Sequence, residues 1–461
     1  MNENNMNIQK KAFINALIIL FVLLVVTGIL TYFIPSGSYQ YELVDGIKRI
    51  IPDSFSYTNE GNIAFYRIFT APFEVLASDS SSIIIAIILF LLIIGGSIKV
   101  LTKIGVIEHF IFMIIERFKD KKYVLLSVIT LAFMSIGAFI GIFEEIIPLV
   151  PIMIILSKKL GWDTKIGLGM SVLATGFGFS AAVTNPFTIG IAQELSGVAL
   201  FSGFGFRFVI FIITYLTLTT FLIYHAKKID TSTQDSEISF EYVKPNRKSL
   251  IFTLFCLTLM ITSIVLSPFI EFLQDYNLIL IAFYFLIAGI GAGLLSSQNN
   301  KSILKTYLSG SLEMAPGVLL ILLATGVKQV ITISGDMDTI LYFVTNLVSG
   351  QSAFVVLIGA FLLTMFLNFF IGSGSAKAFI IIPILNPILD LNLISRQLGI
   401  LAFQFGDGFS NVFYPTNAVL LLALGLGGFS YSKWIRWILP LQLFIIVLSI
   451  LFLYIGLEVG Y

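Results

Sequence analysis

Two matched interruptions in an otherwise water-avoiding chain set the limits on its fold. One reads GAFIGIFEEIIPLVP, Gly137 to Pro151, followed by GFGFSAAVTNPFTIG, Gly176 to Gly190. The other reads FFIGSGSAKAFIIIP, Phe369 to Pro383, followed by FGDGFSNVFYPTNAV, Phe405 to Val419. Each is a polar, glycine-containing tip inside an apolar run, then a second polar break with Gly-Phe-Ser and a proline near an asparagine. In hydrocarbon a broken helix leaves unpaired N–H and C=O groups, each costing several kcal/mol, so such breaks survive only where they line a protected polar cavity. Two such pairs, one per half, are the sequence mark of an inverted-repeat secondary transporter.

Composition agrees. Of 461 residues, 57% are hydrophobic and 11% charged, with a mean hydropathy of +0.99. An ordinary soluble surface needs roughly 25% charged residues. A net charge of +1 gives no electrostatic case for nucleic acid. The single Cys256 excludes an internal disulfide and a cysteine metal cluster, and two well-separated histidines argue against a histidine metal site. His109 and His225 read as solvent-facing, Cys256 as a small core residue, and most of the 44 phenylalanines as lipid-facing or packing surface. No Walker A motif occurs, which argues against an ATP-driven pump. The first apolar run, Ala12 to Ile34, is too long for a signal core of about 7–15 residues and reads as a span.

Charges sort the loops. Lys10 and Lys11 mark a cytoplasmic N-terminus. Segment 35–80 carries more acids (Glu42, Asp45, Asp53, Glu60, Glu74, Asp79) than bases (Lys48, Arg49, Arg67) and is expected outside. A span at about 82–101 returns, and 104–118 reads as an interfacial amphipathic helix. Residues 123–157 run between two basic clusters, Arg117–Lys122 and Lys158–Lys165, so this stretch is expected as a re-entrant hairpin. A broken span at 166–195, a span at about 206–224 and a charged cytoplasmic linker, 225–248, complete the first half. Spans at about 249–270, 277–297 and 308–330 follow, with the acidic turn Glu271–Asp275 outside. A second hairpin at 352–388, a broken span at 398–425, Lys433 and Arg436 inside, and a last span at about 437–457 end the chain. The expected fold is an all-α membrane protein of two inverted-topology repeats, 1–224 and 249–461, with two re-entrant hairpins and two broken transmembrane helices. It is multi-pass in the cell (inner) membrane, with the C-terminus, Arg207 and Arg396 outside.

Glu144 and Glu145 are the sharpest chemical signal. A charge at bilayer depth costs about 2.5–3.5 kcal/mol on insertion scales. Such a carboxylate binds a cationic group or cycles a proton; alternatively it pairs with a buried cation or caps a hairpin helix. Thr184, Asn185 and Pro186, and Asn411 with Pro415, Thr416 and Asn417, mark the helix breaks. Freed carbonyls and amides there can coordinate sodium or receive ammonium donors, so a sodium ion is expected near Asn185 and Asn411. Ser373, Gly374 and Ser375 form a small-residue tip suited either to a ligand or to tight helix packing. Lys377 faces a substrate carboxylate or neutralises Glu144 or Glu145, the first being preferred. Asp407 is a cation ligand or a helix cap. Phe405-Gly406-Asp407 is too incomplete for an intramembrane aspartyl protease, and no buried histidine is available for a serine dyad, so no enzyme is expected.

The stretches GAFIGIFEEIIPLVPIMI, TNPFTIGIAQ and ISRQLGILAFQFGDGFSNVFYPTNAVLLL resemble the YfcC/ArcD-type basic amino acid antiporter family, grouped with the anaerobic dicarboxylate carriers and a larger ion-transporter superfamily. The resemblance covers nearly the whole chain. It implies secondary transport of amino acids, often arginine–ornithine exchange, or of carboxylates, with Glu144, Glu145, Asn185, Pro186, Ser373, Ser375, Asp407 and Asn411 on the family's hairpin and break motifs. The chain departs from that pattern at the second tip, where Ser375-Ala376-Lys377 stands in place of Ser-Gly-Gln. A cation there makes zwitterionic or anionic substrates more credible than purely cationic ones. The expectation is an amino acid exchanger or ion-coupled uptake system, with sodium-coupled dicarboxylate transport as the alternative. Na+ or H+ is the coupling ion, no other cofactor is needed, and a homodimer is among the expected assemblies.

Overall fold

The computed structural model describes residues 3–461 except 45–46, 52–53, 59–62, 79–80, 119–120, 231–243, 267–269, 271, 274–275, 297 and 349. Asp45, Asp53, Glu60, Asp79, Lys119, most of the charged linker, and Glu271 and Asp275 of the acidic turn lie outside the described residues. The rest is almost entirely helical, as long apolar segments must be when no water can satisfy their backbone. Among the described residues six helices are long and apolar enough to cross a bilayer: Ile84–Lys103, Lys122–Ile140, Phe204–Asp230, Asn300–Ser334, Gly374–Leu391 and Tyr431–Glu458. Leu17–Leu30, Leu278–Leu294 and Ala353–Asn368 are shorter apolar helices.

The same order of parts occurs twice. In the first half Ser81–Lys103 leads to the short helix Val106–Phe118, then to the hairpin arms Lys122–Ser135 and Val150–Lys159. A broken helix follows, Ala174–Ser180 then Pro186–Leu195, and Phe204–Asp230 closes the half. In the second half Ala315–Ser334 leads to the short helix Asp336–Val348, then to the arms Ala353–Asn368 and Gly374–Leu391. The second broken helix is Arg396–Ser410 then Ala418–Leu426, and Tyr431–Glu458 closes the chain. The inner arm Gly374–Leu391 packs on Ile191–Leu195, beyond the first break. The inner arm of the first hairpin packs in turn on Ala418–Leu426, beyond the second. Each half therefore completes the other's broken helix.

Glycines set how closely these helices meet. A Cβ at Gly178 would stand 2.0 Å from the Met134 carbonyl oxygen, and one at Gly137 2.3 Å from the Thr175 carbonyl. A Cβ at Gly406 would stand 2.4 Å from the Phe361 carbonyl, and one at Gly408 2.3 Å from the Ser180 Cα. These helices touch backbone to backbone, which only glycine permits. A separate set of such contacts joins Ser81–Lys103 to its neighbours: a Cβ at Gly310 would stand 2.5 Å from the Gly95 carbonyl, and one at Gly289 2.7 Å from the Ser97 Cα.

Several details differ from the sequence reading. The 35–80 segment holds two short antiparallel pairs, Gly37–Ser38 with Ser56–Tyr57 and Tyr41–Val44 with Ile47–Ile50. The sequence between the latter strands is Asp45-Gly46, a dipeptide favoured in two-residue hairpin turns. The helix Asp336–Val348 was not anticipated, although it matches Val106–Phe118, whose apolar face (Val106, Ile107, Ile111, Ile115) is buried. His225 is half-buried rather than solvent-facing, because it lies 3.3 Å from the Asp163 carboxylate and packs on Trp437. Arg207 is 1% exposed and donates to Gln397 Oε1.

Candidate functional site

The first tip begins where the outer arm loosens. Lys122–Ser135 widens into a π-type turn over Ile136–Ile140 and stops at Gly141, whose φ of +81° suits glycine. A Cβ at Gly141 would stand 2.2 Å from Asn185 Oδ1, so this turn lies directly on the first break. The helix resumes at Glu144, with Glu144 and Glu145 in its first turn, where the helix dipole favours negative charge. Glu145 is half-buried. Glu144 is exposed, yet its carboxylate lies within electrostatic range of Lys328, Lys377 and Asp407, contributed by three other helices. It therefore faces a recess between elements and not an outer surface.

The first break is tied to this tip by hydrogen bonds. The Val183 and Thr184 N–H groups donate to the Ala138 carbonyl at 2.9 and 3.2 Å, and Thr184 Oγ1 donates to the Phe139 carbonyl at 3.1 Å. Asn185 restarts the helix. Its Oδ1 accepts from the N–H groups of Phe187 (2.9 Å) and Thr188 (3.3 Å), and Pro186 occupies the first turn, where no N–H is needed. Asn185 Nδ2 and Thr188 Oγ1 are buried and have no hydrogen-bond partner among the described residues.

The second tip sits against the same place. Ser373 Oγ accepts the Ala376 N–H and caps Gly374–Leu391. Ser375 Oγ donates to the Phe187 carbonyl at 2.9 Å, joining the second tip to the first break. A Cβ at Gly374 would stand 2.6 Å from Thr188 Cγ2 and 2.9 Å from Asp407 Oδ2. A Cβ at Gly372 would stand 2.4 Å from Lys328 Nζ, so the Lys328 ammonium rests on the tip backbone. Lys328 is half-buried, while Gly372 and Ser373 are exposed.

Lys377 points inward from the first turn of that helix. It is 0% exposed, and its Nζ lies 2.7 Å from Asp407 Oδ1, donates to the Ile371 carbonyl at 2.7 Å and donates to Asn368 Oδ1. Asp407 is 1% exposed, and neither of its oxygens receives an aligned hydrogen bond among the described residues. The contact with Lys377 is thus a close ion pair without hydrogen-bond alignment. Asn368 also binds the second break: its Nδ2 lies 2.9 Å from the Asp407 carbonyl, 2.7 Å from Ser410 Oγ and 3.0 Å from Asn411 Oδ1. Asn417 Nδ2 donates to the same Asn411 oxygen at 3.0 Å, and Asn417 Oδ1 caps Ala418–Leu426 through the Leu420 N–H. Thr416 is buried and its Oγ1 has no hydrogen-bond partner among the described residues.

Most of the sequence-derived residues thus fall into two connected groups. Thr184 and Asn185 meet the first tip, Pro186 opens the helix beyond them, and Ser375 and Gly374 meet the far side of that break. Lys377, Asp407, Asn411 and Asn417 form a chain through Asn368. Lys328, Thr188 and Asn368 were missed. Lys328 carried a usable signal, a lysine in an apolar helix with no acid within a turn. Thr188 carried none beyond its place next to a break, and Asn368 none beyond its place beside the second tip. Among the described residues no group of three or more His, Cys, Asp or Glu side chains could hold a metal ion.

The profile of the family described as DcuC, C4-dicarboxylate anaerobic carrier, matches residues 13–458. The chain belongs to the DcuC family. Membership makes this a membrane-embedded secondary transporter. Among its relatives is YfcC of Escherichia coli (strain K12), named provisionally as a basic amino acid antiporter, 28% identical across 92% of each chain. An uncharacterized protein of Haemophilus influenzae is 25% identical over 77% of this DcuC-family chain and 72% of its own length. Two solved transporters align along most of the chain: YdaH of Alcanivorax borkumensis (16% identity, 98% and 99% covered, TM-score 0.43) and MtrF of Neisseria gonorrhoeae (17%, 97% and 95%, TM-score 0.40).

Proposed function

We propose that this protein moves amino acids across the cell (inner) membrane by exchange or ion-coupled uptake, gripping both charged ends of the substrate between its two tips. The observation that carries the reading is the pair Glu144 and Lys328. They are of opposite charge, reachable from solvent, and within electrostatic range of each other. Lys377 and Asp407 neutralise one another behind them. A zwitterion fits this arrangement, its ammonium toward Glu144 and its carboxylate toward Lys328. Glu145 stands one residue away as a second carboxylate at the same tip. Thr184, Ser373 and Ser375 supply neutral hydrogen-bonding groups around the same recess.

The wider scheme follows from the same reading. Residues 1–224 and 249–461 act as inverted repeats, the two hairpins are re-entrant from opposite faces, the N-terminus is cytoplasmic and the C-terminus outside. The mutual packing of each inner arm on the other half's broken helix supports that scheme. Dicarboxylate transport is the second reading, favoured by the family's description and by the two lysines at the second tip. A dicarboxylate would, however, bring a second negative charge toward Glu144.

Proteoliposomes loaded with unlabelled substrate and offered labelled arginine, ornithine, lysine, neutral amino acids or succinate under imposed gradients test this. Amino acid uptake that is lost in Glu144→Gln and in Lys328→Gln is the expected result. Succinate uptake without amino acid uptake would overturn it.

A further inference from the structure

We infer that Lys377 is a built-in cation: its ammonium fills a monovalent-cation site at the second tip that would otherwise draw sodium. Three oxygens of different origin converge on Lys377 Nζ: the Asn368 amide oxygen, the Ile371 carbonyl from the unwound tip, and the Asp407 carboxylate. An amide, a backbone carbonyl and one carboxylate make a hard, oxygen-only set with a single negative charge, suited to a monovalent cation. The placement is otherwise unfavourable for a lysine. The ammonium lies in the first turn of Gly374–Leu391, at the positive end of the helix dipole, and is fully buried. It is held there by Asp407, whose one ion pair among the described residues is with Lys377.

The neighbouring amides do not offer an alternative site. Asn411 Oδ1 faces the N–H groups of Asn368 and Asn417, and Asn185 Oδ1 faces those of Phe187 and Thr188. Both oxygens already receive hydrogen bonds, so neither fits a sodium ion in this arrangement. The cation of the second half is therefore carried by the chain itself, and this half of the molecule needs no sodium to neutralise Asp407. The inference rests on the transporter reading only for its meaning, since a resident ammonium would release one half from sodium coupling.

The test is thermal unfolding of the purified full-length protein in detergent, at constant ionic strength, with sodium chloride exchanged stepwise for choline chloride. No substrate enters the assay, so failure of the amino acid reading leaves its outcome untouched. Lys377→Gln is expected to melt lower than the parent in choline and to recover with a saturable dependence on sodium that the parent lacks. The charge-neutral double variant Lys377→Gln/Asp407→Asn is expected to fold and to lack that response. Equal sodium responses in the parent and Lys377→Gln, or a response that persists in the double variant, would overturn the inference. So would a Lys377→Gln protein that cannot be purified even in sodium while the double variant can, because Asp407 would then not accept the ion.

Discussion

The two hairpin tips use one backbone device and opposite treatments of charge. Both end an apolar outer arm, cross an unwound stretch containing glycine, and restart a helix against a break. The first tip leaves Glu144 exposed to a recess. The second turns Lys377 inward onto Asp407 and presents small residues, while the cation at its surface, Lys328, comes from a different helix. The difference teaches that charge at depth has two uses. Paired and sealed, it fastens a tip to its broken helix; accessible and unsealed, it is available to a ligand.

The severest test removes one partner of the sealed pair. Asp407→Asn leaves the Lys377 ammonium buried without a counter-charge and should cost about 3–5 kcal/mol of stability, read as a fall in melting temperature. If that variant melts like the parent, the second tip is not sealed by charge and the comparison collapses.

Acids at helix starts sharpen the contrast between paired and unpaired burial. At Asp163, burial pushes the carboxyl upward, but the hydrogen bond and charge of His225, the Ile166 N–H and Lys165 outweigh it and hold it below the usual range. Asp336, 1% exposed and with no aligned hydrogen bond to its oxygens among the described residues, is pushed by burial to about 6 against a smaller opposing pull from Ser334. Its folded-state pKa lies above the unfolded value, so the unfolded state ionises first and stability falls as pH rises from about 4 to about 6. A rise of about two units corresponds to at most about 3 kcal/mol. Asp336→Asn should match the parent near pH 4 and exceed it above pH 6, in melting curves taken from pH 4 to 8. Parallel pH profiles would show that Asp336 has found a partner.

At the recess the expected effect is on binding and not on folding. Glu144→Gln and Lys328→Gln each remove one charge-assisted hydrogen bond, worth about 1.5–3 kcal/mol, and should weaken substrate affinity about 10–100-fold. Glu144→Gln should change stability far less than Asp407→Asn, since Glu144 is open to the recess and lies in no ion pair among the described residues. A lower melting temperature with unaltered affinity would place Glu144 in the same class as Asp407. The smallest effect is steric. Gly374→Ala pushes a methyl toward Thr188 and Asp407 and should cost about 1 kcal/mol, the low end of overpacking. Gly141→Ala adds backbone strain to a clash with Asn185 and should cost more. Reversal of that order in unfolding experiments would mean that the first tip, not the second, has room to give.

The helix breaks were legible because their signals are local. Proline removes an N–H, and asparagine replaces the missing partner, so Asn185-Pro186 and Pro415–Asn417 announce interrupted helices from a few residues. The pairing of charges was less legible, since Lys377 and Asp407 are 30 positions apart and meet only after the second half folds. The preference for a substrate-facing Lys377 rested on its place in a tip, and side-chain direction is not written there. Lys328 escaped because positive charges were read as markers of loops, whereas this lysine lies inside Ala315–Ser334. The short strands lie in a segment legible for its charge balance, whereas Asp336–Val348 lies between the span at 308–330 and the hairpin at 352–388, where charge sorting gives no sign of a helix.

The glycine contacts have a mechanical consequence. Where carbonyl meets Cα with no side chain between, there is nothing that can change rotamer, so the surfaces cannot slide without first separating. Through Gly137, Gly178, Gly406 and Gly408 the outer arms of both hairpins and both broken helices are locked into one stiff unit. Through Gly289 and Gly310 the helices around Ser81–Lys103 are locked into another. Sliding is left to seams lined by side chains, such as the one where a Cβ at Gly317 would meet only the leucine methyls of Leu91 and Leu422, at 3.0 and 3.1 Å. The stiffness of each unit, and the slack between them, are set by which positions lack a side chain.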